Sequence, residues 1–404
     1  MINRPIFLNQ LINFKDKDFI KVITGIRRCG KSSLLQLFAD YLKSKNISDE
    51  NIIQMNFESF EYDGFTYKEL YNVIKDKSKQ IKGKLYLLFD EIQRIKSWEL
   101  AVNSLRVDCN VDIYITGSNA YLLSSQLATY LSGRYVEIKM QPLTFKEFLT
   151  FYDLKDKTKD EKFALYLKIG GMPGLKGLNF NETMINQALD GIYSTVIMKD
   201  VINQSSVRDP ALLNKITSFL ADNIGNATSV NNIKNTLVSD NAITKGTTTG
   251  VIDNYIKFLE NAFIFYGIKR YDIKGKEYLK TQGKYYIADI GIRTHLLGER
   301  NWHRGHILEN IIYLELLRRG YDVYIGKIGE FEVDFIAQNS KGKVYFQVAL
   351  TVRDEKTLER ELRPLKSIRD HYPKFILTLD EDPEAQYDGI RRINARDWLL
   401  GLTE

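Results

Sequence analysis

The chain is short of the residues that build disulfide frameworks, stiff linkers and membrane spans. Its 404 residues hold only two cysteines, Cys29 and Cys109. A secreted disulfide scaffold needs more, and no metal-ligand spacing is present. Such usage fits a reducing cytoplasm. Seven prolines are too few for long Pro-rich spacers. No apolar run approaches the ~20 residues of a transmembrane helix. The segment 1–13 lacks the basic start and apolar stretch of a secretory signal. The expectation is a cytoplasmic protein without a membrane partner. A strong excess of one charge is also missing: the formal net charge of +6 does not by itself predict nucleic-acid binding. Neither an internal repeat nor a low-complexity tract is visible.

What remains is an ordinary globular composition, 44% hydrophobic and 27% charged. At ~150 residues per domain it suggests two or three domains. Residues 1–142 alternate strand and helix. Strands are predicted near 19–24, 52–57, 85–89, 111–116 and 135–140, and helices near 32–44, 67–79 and 98–108. The third strand is almost wholly apolar, as a strand covered on both faces must be. The alternation predicts an α/β fold with a doubly wound parallel sheet. After Pro142 the pattern changes. Residues 143–204 form a mostly helical lid or linker, broken at Gly170-Gly171-Met172-Pro173-Gly174. Residues 205–300 read as helices followed by a hairpin, and 301–404 as mixed α/β.

The run Gly25-Ile26-Arg27-Arg28-Cys29-Gly30-Lys31-Ser32, followed by Ser33, matches G-x-x-x-x-G-K-[ST] between a predicted strand and a predicted helix, the context the motif needs. The glycines let backbone amides wrap phosphates, and the helix N-terminus presents unpaired N–H groups to an anion. Lys31 should reach the β- and γ-phosphates of ATP, and Ser32 should ligate Mg²⁺. Arg27 and Arg28 read as exposed bases without a role, and Cys29 as a small spacer.

Leu85-Tyr86-Leu87-Leu88-Phe89-Asp90-Glu91 is an apolar strand ending in two acids. Asp90 is the candidate for holding the metal, and Glu91 for polarising the attacking water. Beyond the fourth strand, Ser118 or Asn119 is the candidate sensor of the γ-phosphate, with helix capping as the alternative. Arg134 is either an arginine finger or sensor, the finger often supplied by a neighbouring subunit, or a surface residue at a strand start.

Residues 210–290 fit a winged helix-turn-helix. The third helix would offer Thr247 and Thr248 to DNA. The hairpin carries Lys269, Arg270, Lys274, Lys276, Lys280 and Lys284, which suit phosphate contacts. A protein-interaction or lid module, or simply a soluble sheet edge, would look alike. In the last region Glu309 on a helix, Asp334 on a strand and Gln347 on the next follow the order of a restriction-endonuclease-like metal site. There carboxylates hold Mg²⁺ and a lysine orients water. The expected E-x-K reads Gln347-Val348-Ala349, so a carboxylate and the lysine are both absent, and a binding platform fits better than a nuclease.

These stretches, with Gln141–Phe148, Gly170–Pro173, Lys284–Arg293 and Gly305–Asn310, resemble prokaryotic AAA+-superfamily ATPases fused to a C-terminal domain of unknown function of the PD-(D/E)xK nuclease-like type. The resemblance implies an ATPase core, a central winged-helix region and a nuclease-like terminus. The combined expectation is an ATP-hydrolysing, Mg²⁺-dependent switch acting with double-stranded DNA, with Arg134 working in trans if the chain forms a homo-oligomer. A nucleotide-regulated scaffold and an ATP-gated nuclease are the alternatives.

Overall fold

The computed structural model describes residues 3–120, 133–196, 201–202, 207–244, 246–275, 277–298 and 304–403. The chain divides into two compact units, Met1–Met140 with Asn261–Phe263, and Gln141–Glu260 with Ile264–Glu404.

In the first unit β1 (Ile20–Thr24), β2 (Ile52–Asn56), β3 (Leu85–Asp90), β4 (Val111–Gly117) and β5 (Tyr135–Lys139) form an all-parallel sheet in the order β2-β3-β4-β1-β5. Among the described residues four helices accompany it: α1 (Pro5–Asn13), α2 (Lys31–Ser44), α3 (Tyr67–Gln80) and α4 (Trp98–Asp108). Both faces are covered, because alternate residues of each strand point opposite ways. Ile20, Val22, Leu87, Phe89, Ile113 and Ile115 pack with Leu70 and Ile74 of α3 and Val102 and Leu105 of α4. On the other face Phe38 of α2 lies over Tyr114, with ring centroids 4.3 Å apart. Each large side chain buried this way contributes ~1.5–3 kcal/mol. Thr66 and Glu69 close a reciprocal capping box that starts α3,. The expected doubly wound P-loop sheet is therefore present. Its strand order places β4 between β1 and β3, so the loop after β1 faces the acids after β3 across the polar end of β4.

The second unit begins with helices Phe145–Phe151, Lys159–Ile169, Glu182–Thr195, Pro210–Asp222, Val230–Ser239 and Thr249–Asn261. Strands β6 (Phe265–Asp272) and β7 (Glu277–Ile287) and helices Ile290–Leu297 and Arg304–Arg318 follow. Then come β8 (Asp322–Ile328), β9 (Phe331–Asn339), β10 (Gly342–Val348), helix Glu355–Lys366, β11 (Lys374–Thr378), β12 (Ala385–Tyr387), β13 (Ile390–Asn394) and helix Ala395–Leu400. The eight strands make one mixed sheet, β12-β13-β11-β10-β9-β8-β6-β7.

That order alters the expectation for the hairpin. β6 pairs in parallel with β8, Arg270 opposite Ile325 through Asp272 opposite Lys327. The hairpin read as a wing is thus the edge of the C-terminal sheet, and the boundary expected at 300/301 runs through that sheet. The hairpin itself was local and legible. Its third neighbour lies some fifty residues on and leaves no local mark.

Three of the diagnostic stretches meet here. Asp289 accepts from Gly171 N–H (2.7 Å) and caps the helix Ile290–Leu297 through Ile292 N–H (3.2 Å). A Cβ on Gly171 would stand 2.1 Å from the Leu143 carbonyl oxygen, and one on Gly291 2.1 Å from that of Ile169. These glycines are required by close backbone approach, and the motifs hold the fold together. Among the described residues no helix is long and apolar enough to cross a membrane.

Candidate functional site

The phosphate loop leaves β1 after Thr24. Gly25 takes φ 143, Arg28 φ 64 and Gly30 φ 105, a succession of turns open mainly to glycine. Gly25 has a second reason to lack a side chain, since a Cβ would stand 2.0 Å from the carbonyl oxygen of Met140. Helix α2 starts at Lys31 behind Gly30, which offers no side-chain cap, so its first amides are available to an anion. Lys31 is buried, and its ammonium donates to the carbonyls of Gly25 (2.9 Å) and Ile26 (3.3 Å) at the mouth of the loop. Ser32 and Ser33 are exposed at the helix start.

Asp90 ends β3 and Glu91 follows it, and both are buried. The Thr116 hydroxyl of β4 organises them, donating to Asp90 Oδ1 (2.5 Å) and accepting from Glu91 N–H (2.9 Å). Glu91 adopts φ 53, ψ 47, a left-handed conformation that costs a non-glycine residue ~1 kcal/mol or more and clusters at functional sites. Its carboxylate lies 3.9 Å from Lys31 Nζ and accepts from the Ser118 hydroxyl at 3.2 Å and from the Gln93 amide. Lys31, Asp90, Glu91 and Ser118 therefore meet at the C-terminal ends of β1, β3 and β4, where ligands bind in open α/β sheets. Of the two sensor candidates, Ser118 joins the cluster by a hydrogen bond. Asn119 is buried beside it, and the helix it would cap lies outside the described residues. The donor set fits a nucleotide with Mg²⁺: a buried ammonium, uncapped helix amides, an exposed hydroxyl and a carboxylate.

Arg27, Cys29 and Arg134 have surroundings of their own. Arg27 is ion-paired with Glu58, which Arg94 also approaches at 3.5 Å; Arg28 is exposed as read. Cys29 is fully buried, its thiol pushed up by desolvation and directed at the Met140 carbonyl (3.5 Å). It is packing and not a reagent. Arg134 is exposed at the start of β5, where its carbonyl accepts from Ile20 N–H (2.9 Å). That is the opposite end of β1 from the loop, about 16 Å away at the rise of a strand. Within its own chain Arg134 is not part of the site. Sequence reasoning missed Arg4, whose buried guanidinium donates to the Cys29 carbonyl (3.2 Å), and it missed Thr116 and Gln93.

In the second unit Glu309, Asp334 and Gln347 do come together, lining a cavity of about 700 Å³. Lys284 joins them, which corrects its assignment to an exposed DNA-contacting hairpin. Its side chain is 5% exposed, and Nζ lies 2.8 Å from Glu309, 3.0 Å from Glu332 and 3.8 Å from Asp334. Burial alone would lower the affinity of Lys284 for its proton. The charges of Glu309, Asp334 and Glu332 overturn that and raise it above the ordinary value,. Asp334 is pushed up by burial and by Glu309 against the pull of Lys284. Gln347 spends its carbonyl on the Asp334 N–H (3.2 Å), and Asp334 accepts from Val348 N–H (2.8 Å). Among the described residues no three His, Cys, Asp or Glu side chains are arranged to hold a metal.

The DNA candidates are scattered by comparison. Lys269 and Lys274 are exposed and Arg270 is half-buried. Thr248 is exposed and caps Val251 N–H (3.3 Å), and Thr247 is half-buried. Lys276 lies outside the described residues, as does the side chain of Lys280.

This fold and this cluster are those of an α/β P-loop NTPase domain. Residues 17–149 match a family model described as an AAA domain, and 160–303 one described as a domain of unknown function, DUF8612. The chain belongs to the same family as an uncharacterized protein of Haemophilus influenzae, 44% identical over 403 residues and covering 99% of both chains. An uncharacterized protein of Methanocaldococcus jannaschii is 31% identical over 92% of this chain and 82% of its own. In fold the chain is similar to a Walker-type ATPase of Pyrococcus abyssi, with a TM-score of 0.51, 16% identity and coverage of 73% of this chain and 96% of that one.

Proposed function

We propose that the protein is an ATP-hydrolysing AAA+-like switch. The observation that carries this reading is the single cluster of Lys31, Asp90, Glu91, Thr116 and Ser118 beside the uncapped start of α2. ATP would be held by the amides of residues 25–33 and by Lys31, and Mg²⁺ by Ser32 and Asp90. The metal would neutralise charge on the phosphates. Glu91, fixed at both its backbone and its carboxylate, accepts the proton of the attacking water. Arg134, remote from its own loop, serves as a finger only towards another copy, so a homo-oligomer goes with that role. The setting is cytoplasmic. The test is Mg²⁺-dependent ATP turnover with and without double-stranded DNA, beside Lys31→Ala. Turnover abolished by Lys31→Ala is expected. Turnover that persists in the variant defeats the reading.

The C-terminal cleft reads as a binding platform rather than a nuclease. Lys284 already places a cation among its carboxylates, and the Gln347 side-chain oxygen is used on the backbone. Plasmid incubated with Mg²⁺ or Mn²⁺ should remain uncut. Cleavage that disappears in Asp334→Ala would contradict this.

A further inference from the structure

Gln93 stands two residues beyond Glu91 in a tight 3₁₀ turn, Ile92–Arg94, that Glu91 itself begins. The turn is pinned by the wholly buried Ile92 and the buried Ile95 and closed by Arg94 N–H to Glu91 C=O (3.1 Å). Gln93 therefore has little freedom relative to Glu91. Its amide nitrogen donates to Glu91 Oε2, the oxygen that also accepts from Ser118. This fixes which way round the amide lies, since a reversed amide would put a carbonyl oxygen against a carboxylate oxygen. The other end, Gln93 Oε1, is buried and has no hydrogen-bond partner among the described residues. A buried acceptor left unpaired is costly, and one beside a catalytic carboxylate asks for a donor.

Water poised to attack phosphorus has two O–H groups and needs an acceptor for each, so that a lone pair faces the reaction. Glu91 Oε2 is already occupied by two donors, which leaves Oε1 as its acceptor for one of them. We propose that Gln93 is the second member of a water-orienting pair. Its N–H fixes the Glu91 carboxylate, and its Oε1 accepts the second O–H of the attacking water. As the water oxygen bonds to the γ-phosphorus, the bond to the ADP oxygen breaks. The proton that the phosphate does not keep passes to Glu91 and then to solvent. This inference rests on the ATPase reading and adds a residue that the phosphate-loop and strand motifs do not contain.

The experiment compares wild type, Gln93→Leu and Gln93→Glu in the full chain. It reads kcat, KM and the Kd of a non-hydrolysable ATP analogue, and adds a crystal structure with ADP and aluminium fluoride. Gln93→Leu should lower kcat about a hundredfold, the low end for a positioned proton-transfer partner, and leave analogue Kd within about twofold. Gln93→Glu keeps an acceptor but removes the N–H that holds the Glu91 carboxylate, and should lower kcat as well while leaving analogue Kd within about twofold. In the wild-type structure a water should lie within hydrogen-bond distance of Gln93 Oε1. Wild-type kcat in Gln93→Leu or Gln93→Glu, loss of analogue binding in step with kcat, or no water at Oε1 would each overturn the proposal. Absence of turnover in the wild type would overturn the ATPase reading as well, which separates the two failures.

Discussion

Asp289 is a carboxylate that the fold holds under strain of charge. It is buried with three backbone N–H groups around it, those of Gly171, Ile292 and Gly291, and burial outweighs them, pushing its pKa up to about 6. The sign of the consequence follows from linkage. Below about pH 4 the carboxyl is protonated folded and unfolded alike. Between about 4 and 6 the unfolded chain releases the proton while the fold retains it, so stability falls as pH rises, and the contribution is gone above about 6,. Asp289→Asn removes this dependence. Denaturant unfolding across pH 4 to 7 should show the wild type losing up to about 3 kcal/mol relative to the variant. Parallel curves would place the proton elsewhere. At this scale the sequence was legible where a local structure is written in consecutive residues, as in the loop from Gly25 to Ser32. It was not legible for Arg4, Thr116 or Lys284, whose partners lie 25 residues or more away. Lys284 shows the limit best. Strand β7 brings this lysine to Glu309, Glu332 and Asp334, and no spacing rule connects it to them.

Among elements, the hairpin β6–β7 carries the functional ambiguity. Its strands were readable from their turn and composition. Their attachment to β8 depends on non-local pairing, which sequence periodicity does not record. The same attachment fixes where its bases stand: Lys269 and Lys274 outward on the sheet edge, Lys284 inward among carboxylates. If DNA is the partner, Lys269→Ala and Lys274→Ala should weaken binding for all sequences alike. Each should also reduce the slope of log affinity against log salt by about one. Titrations of the double variant at several salt concentrations measure this. An unchanged slope would remove the hairpin from the interface. The 3₁₀ turn after β3 is the opposite case. It is short and invisible to periodicity, yet it holds Glu91 and Gln93 on one rigid bend.

For the molecule as a whole, the first unit carries the phosphate loop and the second carries a sheet whose acid cluster holds a buried lysine. The first was legible because a parallel sheet with its phosphate loop is built from short, ordered, locally coded pieces. The second was only partly so, because its strands pair out of chain order, β11 beside β13 and β6 beside β8. The central claim is that Glu91 activates water on a nucleotide held by Lys31 and its loop. It is tested most directly by measuring ATP binding and single-turnover hydrolysis together in wild type and Glu91→Gln. The account predicts that Glu91→Gln binds ATP as the wild type does and hydrolyses it at least about a hundredfold more slowly. Hydrolysis at the wild-type rate in Glu91→Gln would contradict it.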